Sequence, residues 1–467
     1  MEANKKSNPS SKDVISNLPD DLLCHVLSFL TTKEAALTSV LSKRWSNLLQ
    51  SVPILDFDDS VFLHPKFGPR NATVFKDFVD RLLSLRVKSS SPVKRVSLKC
   101  RHVLELDRLI RWIRAFIDLG VLDLALHFDY KIFILPLNVF TSKTLVNLRI
   151  GARIRLSQSP SDSVSPMVKS LVLDSVAFWD SKLGFQPILS AFPALQSLRI
   201  HESNKWNYWN GSISSRTLKK LVHTNEGDAP APKRCVSFDT PGLVYLEYSD
   251  MVADKYEKLK LDSLVEARLD LLLNANQIMR KNVPDSIGFV PGDVTTLFIG
   301  IKNVKILCLS PDALDALYYR GERIPLFNNL ISLTLGSDKP HGSPYVFWKL
   351  LPSLLLNSTN LETLIIKGLV HYVREGWEGI HLRISWDGVS DSLSSSAVKV
   401  LRITGYKGTC QELNQLKRFL GKLSHLEVVR VGYKSVDDGE RCRLLKDLLL
   451  LPKASPKCQI QFMKETA

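Results

Sequence analysis

Between residues 93 and 431 one short pattern returns thirteen times: an apolar residue, two variable residues, an apolar residue, one variable residue, and a third residue that is apolar in nearly every case. It reads Val93-Val96-Leu98, Val121-Leu124-Leu126, Leu145-Leu148-Ile150, Val168-Leu171-Leu173, Leu195-Leu198-Ile200 and Leu218-Leu221-His223 in the first half. It continues as Leu243-Leu246-Tyr248, Leu264-Ala267-Leu269, Val304-Leu307-Leu309, Leu330-Leu333-Leu335, Leu361-Leu364-Ile366, Val398-Leu401-Ile403 and Leu426-Val429-Val431. The mean interval is about 28 residues. In each unit the last two pattern residues alternate with outward-pointing ones, the period of a strand buried on one face. A single unit of this length cannot enclose a core, so the units must stack.

Stacking such units gives an α/β solenoid in which the strands form a parallel sheet and the returning segments lie behind it. The gap from 264 to 304, and those before Leu361 and Val398, require long insertions or a degenerate repeat without the pattern. The residues between the apolar positions form an exposed inner face. On this register it carries Arg149, Arg199, His201, Lys220, Tyr245, Glu247, Arg268, Lys367 and Arg402, a mixed set with basic residues in excess. Many units lack the Asn or Cys that turns the chain after the strand in regular leucine-rich repeats, and they resemble the degenerate plant-type repeats.

Residues 18 to 49, LPDDLLCHVLSFLTTKEAALTSVLSKRWSNLL, follow a different rule. Pro19 suits a first helical position, and Asp20 and Asp21 place negative charge against the positive end of the helix dipole. Leu22, Leu23, Val26, Leu27 and Leu30 recur at three- and four-residue steps, which predicts a helix from about 19 to 30. Thr31 with Glu34 forms a capping box that opens a second helix, with Leu37, Val40, Leu41, Trp45 and Leu48 on its apolar side and beyond. Two short helices cannot hide this much apolar surface against each other, so the segment is expected to meet a partner.

The ordered set from Ile15 through Leu18-Pro19, Leu22-Leu23, Leu30, Ala35 and the run Val40-Leu41-Ser42-Lys43-Arg44-Trp45 to Leu48 resembles an F-box over about forty residues. The resemblance implies a three-helix hairpin that docks on the small adaptor subunit of a cullin-based ubiquitin ligase. The candidate adaptor-binding residues are Leu18, Pro19, Leu22, Leu23, Val26, Leu27, Leu30, Leu37, Val40, Leu41, Ser42, Trp45 and Leu48. Some of them must instead hold the hairpin together. Residues 398 to 431 resemble the FBD domain that ends many plant F-box and leucine-rich-repeat proteins. Within them Thr409 and Glu412 form a second capping box, and Leu413, Leu416, Leu420 and Leu423 give a helical stripe. The expected division is a leader over 1–12, the F-box over 13–59, repeats over 60–359, and the FBD region with its cap over 360–460.

Composition excludes several function classes. No stretch reaches the roughly 18 uninterrupted apolar residues of a membrane-spanning helix, and the N-terminus has no signal-peptide core, so an intracellular protein of nucleus or cytoplasm is expected. The seven cysteines are scattered with no CxxC pair, which fits free thiols in a reducing compartment. A net charge of +15 favours acidic partners through a long-range field without choosing among them. The basic residues are spread along the chain, as on a solvated surface.

No HExxH, GxSxG, GxxxxGK[ST] or GxGxxG pattern stands in a usable context, so neither catalysis nor a metal or other cofactor is expected. Cys24 and His25 are adjacent on a helix and point about a hundred degrees apart, which argues against a shared proton or metal. Trp206, Tyr208 and Trp209 read equally as a partner-anchoring loop or as buried rings, and so do Trp377 and Trp386. The expected function is the substrate-recognition subunit of an SCF-type cullin–RING ubiquitin ligase, holding a target protein on the repeats. The rival is a basic scaffold for nucleic acid or an acidic nuclear protein, and a small-ligand receptor has no residue pattern in its support.

Overall fold

The computed structural model describes residues 15–62, 70–89, 92–102, 104–129, 132–156, 165–178, 186–202, 211–226, 235–273, 277, 292–320, 323–336, 344–368, 392–433 and 438–465. Trp206, Tyr208, Trp209, Trp377 and Trp386 lie outside them. The chain divides into two compact units, the first essentially residues 1–172 and the second from 173 onward, with 191–194 grouped with the first.

The first unit begins with three helices: α1 (Asp20–Leu27), α2 (Thr32–Thr38) and α3 (Lys43–Leu49). Pro19 is the residue before α1, with extended ψ, and α1 ends at Leu27 rather than near residue 30. Turns occupy 28–30 because Ser28, Phe29 and Leu30 close hydrogen bonds three residues back, to His25, Val26 and Leu27. Thr31 and Glu34 form the expected capping box on α2. Ser42 caps α3 by accepting from Trp45 N–H, a start signal within the SKRW run.

A sheet follows. Strands β1 (Ile54–Asp58), β2 (Arg95–Cys100), β3 (Asp123–Phe128) and β4 (Asn147–Gly151) pair in that order, all parallel. Helices α4 (Arg70–Ser89) and α5 (Leu106–Asp118) are the returning segments. Phe57 of β1 stacks 6.1 Å from Phe116 of α5, Phe75 of α4 meets Trp112 edge-on, and the Trp112 indole donates to Asp80 at 2.6 Å. Each large ring therefore fills the layer behind the sheet, and the one polar ring atom is satisfied.

The division between units falls within β5 (Ser170–Asp174). In the second unit β6 (Ser197–Glu202), β7 (Lys220–Asn225), β8 (Tyr245–Met251), β9 (Glu266–Leu272) and β10 (Ile306–Leu309) come first. Then come β11 (Ser332–Gly336), β12 (Thr363–Lys367), β13 (Val400–Tyr406), β14 (Val428–Tyr433) and β15 (Gln459–Lys464). Each pairs with the next in parallel, so chain order equals spatial order. That is the topology of a solenoid.

All thirteen pattern units end on a strand of these sheets, with the first pattern residue buried in every one, from Val93 to Leu426. The three long gaps are insertions. β9 pairs directly with β10, β11 with β12, and β12 with β13, so no strand is missing between them. Part of the inserted chain forms the helices Val294–Gly300 and Pro344–Leu356. A ladder of backbone bonds joins the turns ahead of the strands, for example Lys305 N–H to Val265 C=O at 2.8 Å and Lys399 N–H to Glu362 C=O at 2.9 Å. A second parallel sheet of Ser212–Ser214, Cys235–Asp239 and Lys255–Lys260 lies among the returning segments of this unit. At the C-terminal end Thr409 and Glu412 box the helix Cys410–Lys422 as expected.

Candidate functional site

The hairpin sorts its apolar residues sharply. Leu23, Leu27 and Leu48 are 0%, 1% and 4% exposed, so these three candidates hold the hairpin and its support together and do not face outward. Leu22, Val26, Leu30, Leu37, Val40 and Leu41 point out, with Val40 at 83% and Leu41 at 71%. Pro19 and Ser42 are also exposed, whereas Leu18 and Trp45 are half-buried. Phe29, 77% exposed, joins this set and was missed in the sequence, although it falls three residues after Val26 on the same stripe. Ile15 just ahead of the hairpin is exposed as well. Two stripes result, one along α1 and one at the end of α2.

The scaffold that presents them is rigidly tied. Arg44 of α3 donates to the Leu18 carbonyl at 2.5 Å and to Asp20 at 2.6 and 2.9 Å, which clamps the Leu18-Pro19 turn onto the third helix. Thr32 accepts from Asp56 N–H of β1 at 2.5 Å. Arg86 of α4, fully buried, donates to the carbonyls of Leu49 at 3.1 Å, Gln50 at 2.6 Å and Val52. These carbonyls end α3 and the turn after it, where intrahelical donors run out. Burial pushes the Arg86 guanidinium down to about 10, still charged at neutral pH.

Cys24 does not pair with His25. Its thiol lies 3.8 Å from the Leu48 carbonyl, and burial, reinforced by Asp20 and Asp21, pushes it up, away from thiolate character. The His25 ring instead meets Phe29 edge-on at 4.9 Å. All seven cysteines are free. Among the described residues no group of His, Cys, Asp and Glu is placed to hold a metal ion, and no helix is long and apolar enough to cross a membrane.

The inner face of the second unit brings four of the candidate target-binding residues into one cluster. Lys220 lies 4.7 Å and Arg268 5.9 Å from the centroid of the Tyr245 ring. Tyr245 O–H donates to Glu247 at 2.7 Å, and Arg268 pairs with Glu266 at 2.7 Å. Burial and the Glu247 carboxylate push the Tyr245 phenol up, so it stays a donor. Arg199 is exposed on β6, and His201 contacts Thr224 at 3.0 Å. Arg402 sits on β13 opposite Arg430, with Lys367 one level further along β12. Arg149 is exposed on the inner face of the first unit, where Arg95 pairs with Asp123 at 3.1 Å.

A hollow of about 580 Å³ opens on this face of the second unit, between β7 and β12. Among the described residues, four carboxylates line it, from Glu226, Glu247, Asp270 and Asp312, against two cations, Arg268 and Lys367. Among the described residues the basic excess expected from the sequence therefore does not extend here. The strands bring together acidic residues that lie 86 positions apart in the chain at their extremes.

Comparison with known proteins agrees with this architecture. The pattern defining the F-box domain matches residues 15–57, and that of the FBD-associated F-box protein At5g56370, LRR repeats, matches residues 109–312. The chain is 70% identical to F-box protein At3g59150 of Arabidopsis thaliana, over the full length of both. It is 40% identical to F-box/LRR-repeat protein At3g59210 of the same organism, across 97% of this chain and 95% of that one. F-box/LRR-repeat protein At2g42720, also from Arabidopsis thaliana, is 40% identical across 96% and 99%. With three helices presenting apolar stripes ahead of a parallel repeat sheet, and with likeness of this extent, the chain belongs to the F-box/LRR-repeat protein family.

Proposed function

We propose that this protein is the substrate-recognition subunit of an SCF-type cullin–RING ubiquitin ligase and performs no catalysis itself. The hairpin binds the small adaptor subunit, and the inner face of the repeats holds a target protein. Positioning is the whole mechanism: a target held by the same chain that holds the adaptor has a raised effective concentration near the ubiquitin-charged enzyme. No residue of this chain needs to move a proton or form a bond.

The observation that carries this reading is the exposure of seven large apolar side chains, Leu22, Val26, Phe29, Leu30, Leu37, Val40 and Leu41, on a hairpin whose own core is already filled by Leu23, Leu27 and Leu48. Fully burying one such side chain contributes about 1.5–3 kcal/mol, so covering even half of this surface offers roughly 5–10 kcal/mol against the cost of association. Surface of that kind, concentrated on one small motif, marks a protein-docking site. Pro19 and Ser42 border it, and Leu18 and Trp45 support it. Leu18→Ala combined with Pro19→Ala is expected to abolish co-purification with the adaptor while the repeats stay folded. Undiminished co-purification of that variant contradicts the assignment. The same reading places the protein in the nucleus or cytoplasm, where the ligase works.

A further inference from the structure

The turns ahead of strands β7 to β11 carry an exposed stripe along one rim of the second unit. Each turn contributes the residue just before its strand: Lys219, Val244, Val265, Lys305 and Ile331. One backbone bond joins each to the next: Val244 N–H to Lys219 C=O at 2.8 Å, Val265 to Val244 at 2.9 Å, Lys305 to Val265 at 2.8 Å, and Ile331 to Lys305 at 2.9 Å. The five residues therefore stand side by side, at about the 4.8 Å spacing of paired strands. Val244, Val265 and Ile331 are all exposed. One exposed valine is ordinary, but three large aliphatic residues at the same position of neighbouring repeats form an apolar strip.

Cations frame the strip. Lys219 stands on one side of the valine pair and Lys305 on the other, both exposed and in no ion pair among the described residues. The Lys219 ammonium lies over Gly242, where a Cβ would come within 3.2 Å of it, so its charge is held beside the turn that carries Val244. Tyr245 follows Val244 directly, and its ring, with Lys220 at 4.7 Å, continues the strip onto the inner face. The two carboxylates next to that ring are already engaged: Glu247 accepts from Tyr245, and Glu266 pairs with Arg268. Asp262, exposed in the turn before Val265, makes no ion pair with Lys219, Lys220 or Lys305. Glu226 and Asp270 of the hollow lie toward the opposite ends of the strands. We infer that this rim docks a segment of the target protein in which apolar side chains are flanked by Glu or Asp. The apolar side chains cover Val244, Val265 and Ile331, and the carboxylates meet Lys219, Lys220 and Lys305. A desolvated apolar centre supplies affinity, and the charges around it choose the partner. This inference rests on the proposed role of the repeats as the target-holding part, adds the chemistry of the target, and extends the contact from the inner face to the rim beside it. A nucleic acid would meet the lysines but gain nothing from the apolar strip.

The test uses the full chain and labelled synthetic peptides of a Gly/Ser host sequence, read by fluorescence anisotropy at low salt. A peptide with a Leu-Leu pair flanked by Glu is expected to bind at least tenfold more tightly than the same peptide with Lys for Glu, or with Ser for Leu. Lys219→Glu combined with Lys305→Glu, at exposed positions ahead of the strands, is expected to turn the preference toward the Lys-flanked peptide. Val244→Ser combined with Val265→Ser is expected to remove the advantage of Leu over Ser. Equal binding of the Leu and Ser peptides, indifference to the charge reversal, tighter binding of a single-stranded oligonucleotide, or no binding at millimolar peptide overturns the inference. Adaptor capture is measured on the same preparation. If capture persists while the peptides are not distinguished, the inference fails and the docking role of the hairpin stands. If the peptides are distinguished while no adaptor is captured, the inference stands and it is the docking role that fails.

Discussion

Arg86→Met tests how the hairpin is held to the rest of the first unit. Arg86 is fully buried and serves three carbonyls, those of Leu49, Gln50 and Val52. Methionine keeps most of the side chain's packing volume but supplies no donor. Leaving a buried acceptor unpaired costs about 1–3 kcal/mol. Leu49 and Val52 are buried whereas Gln50 is reachable by water, so two of the three carbonyls carry the full penalty. The expected loss is about 3–5 kcal/mol, or at least a hundredfold in the local opening equilibrium. A chain of two units does not unfold in one step, so a global melting curve is the wrong assay. Hydrogen exchange of residues 43–52, read by mass spectrometry, isolates the segment. Arg86→Lys is expected to fall between wild type and Arg86→Met, because one ammonium cannot reach the three acceptors in the geometry of a planar fork. Protection in Arg86→Met within threefold of wild type refutes the reasoning.

Other consequences follow from the same contacts. The Glu34 carboxyl lies below its ordinary range because Thr31 N–H and then the Thr31 hydroxyl donate to it. A depressed folded-state value means that its contribution to α2 is complete above the ordinary carboxylate range and is lost as pH falls through the lowered value. Amide protection of α2 relative to α1 is therefore expected to drop on acidification below the ordinary carboxylate range, and Glu34→Gln should flatten that dependence. Glu412 is fully buried and accepts from Thr409 N–H at 2.8 Å and from Lys407 N–H, so Glu412→Ala is expected to destabilise the helix Cys410–Lys422 by about 2–4 kcal/mol, measured as lost exchange protection over 410–422. Salt separates the proposed function from the nucleic-acid scaffold. Adaptor binding through apolar side chains should change little between 50 and 200 mM salt, roughly the range over which phosphate binding falls by orders of magnitude.

Most of the architecture was legible because a buried strand face has a period of two that composition cannot hide. The two terminal strands escaped for different reasons. Val52-Leu55-Phe57 does fit the repeat pattern, but it lies inside the stretch read as F-box, whereas the last strand has Lys457 where the pattern requires an apolar residue ahead of Ile460 and Phe462. In the small parallel sheet Ser212–Ser214 is too short to register as periodicity, and the two longer strands break the repeat pattern with Lys233 ahead of Val236 and Phe238 and with Lys258 after Tyr256. In the hairpin, spacing alone could not separate Leu22 from Leu23 or Val26 from Leu27, because a stripe wide enough to face two ways includes both. What decides them is which side α3 and the sheet cover, a tertiary fact. Arg86 and the acidic hollow were invisible for the same reason. The three carbonyls that Arg86 serves lie more than 30 residues away in the chain, and the carboxylates of the hollow come from several repeats, each unremarkable alone.

The direct test of the account is calorimetric titration of the purified adaptor subunit into the wild-type chain and into Val26→Asp combined with Phe29→Asp, two substitutions on the exposed stripe that runs from α1 into the turn after it and that leave the hairpin core intact. The account predicts a loss of at least a hundredfold in affinity with unchanged circular dichroism. Equal affinity for the two proteins contradicts it.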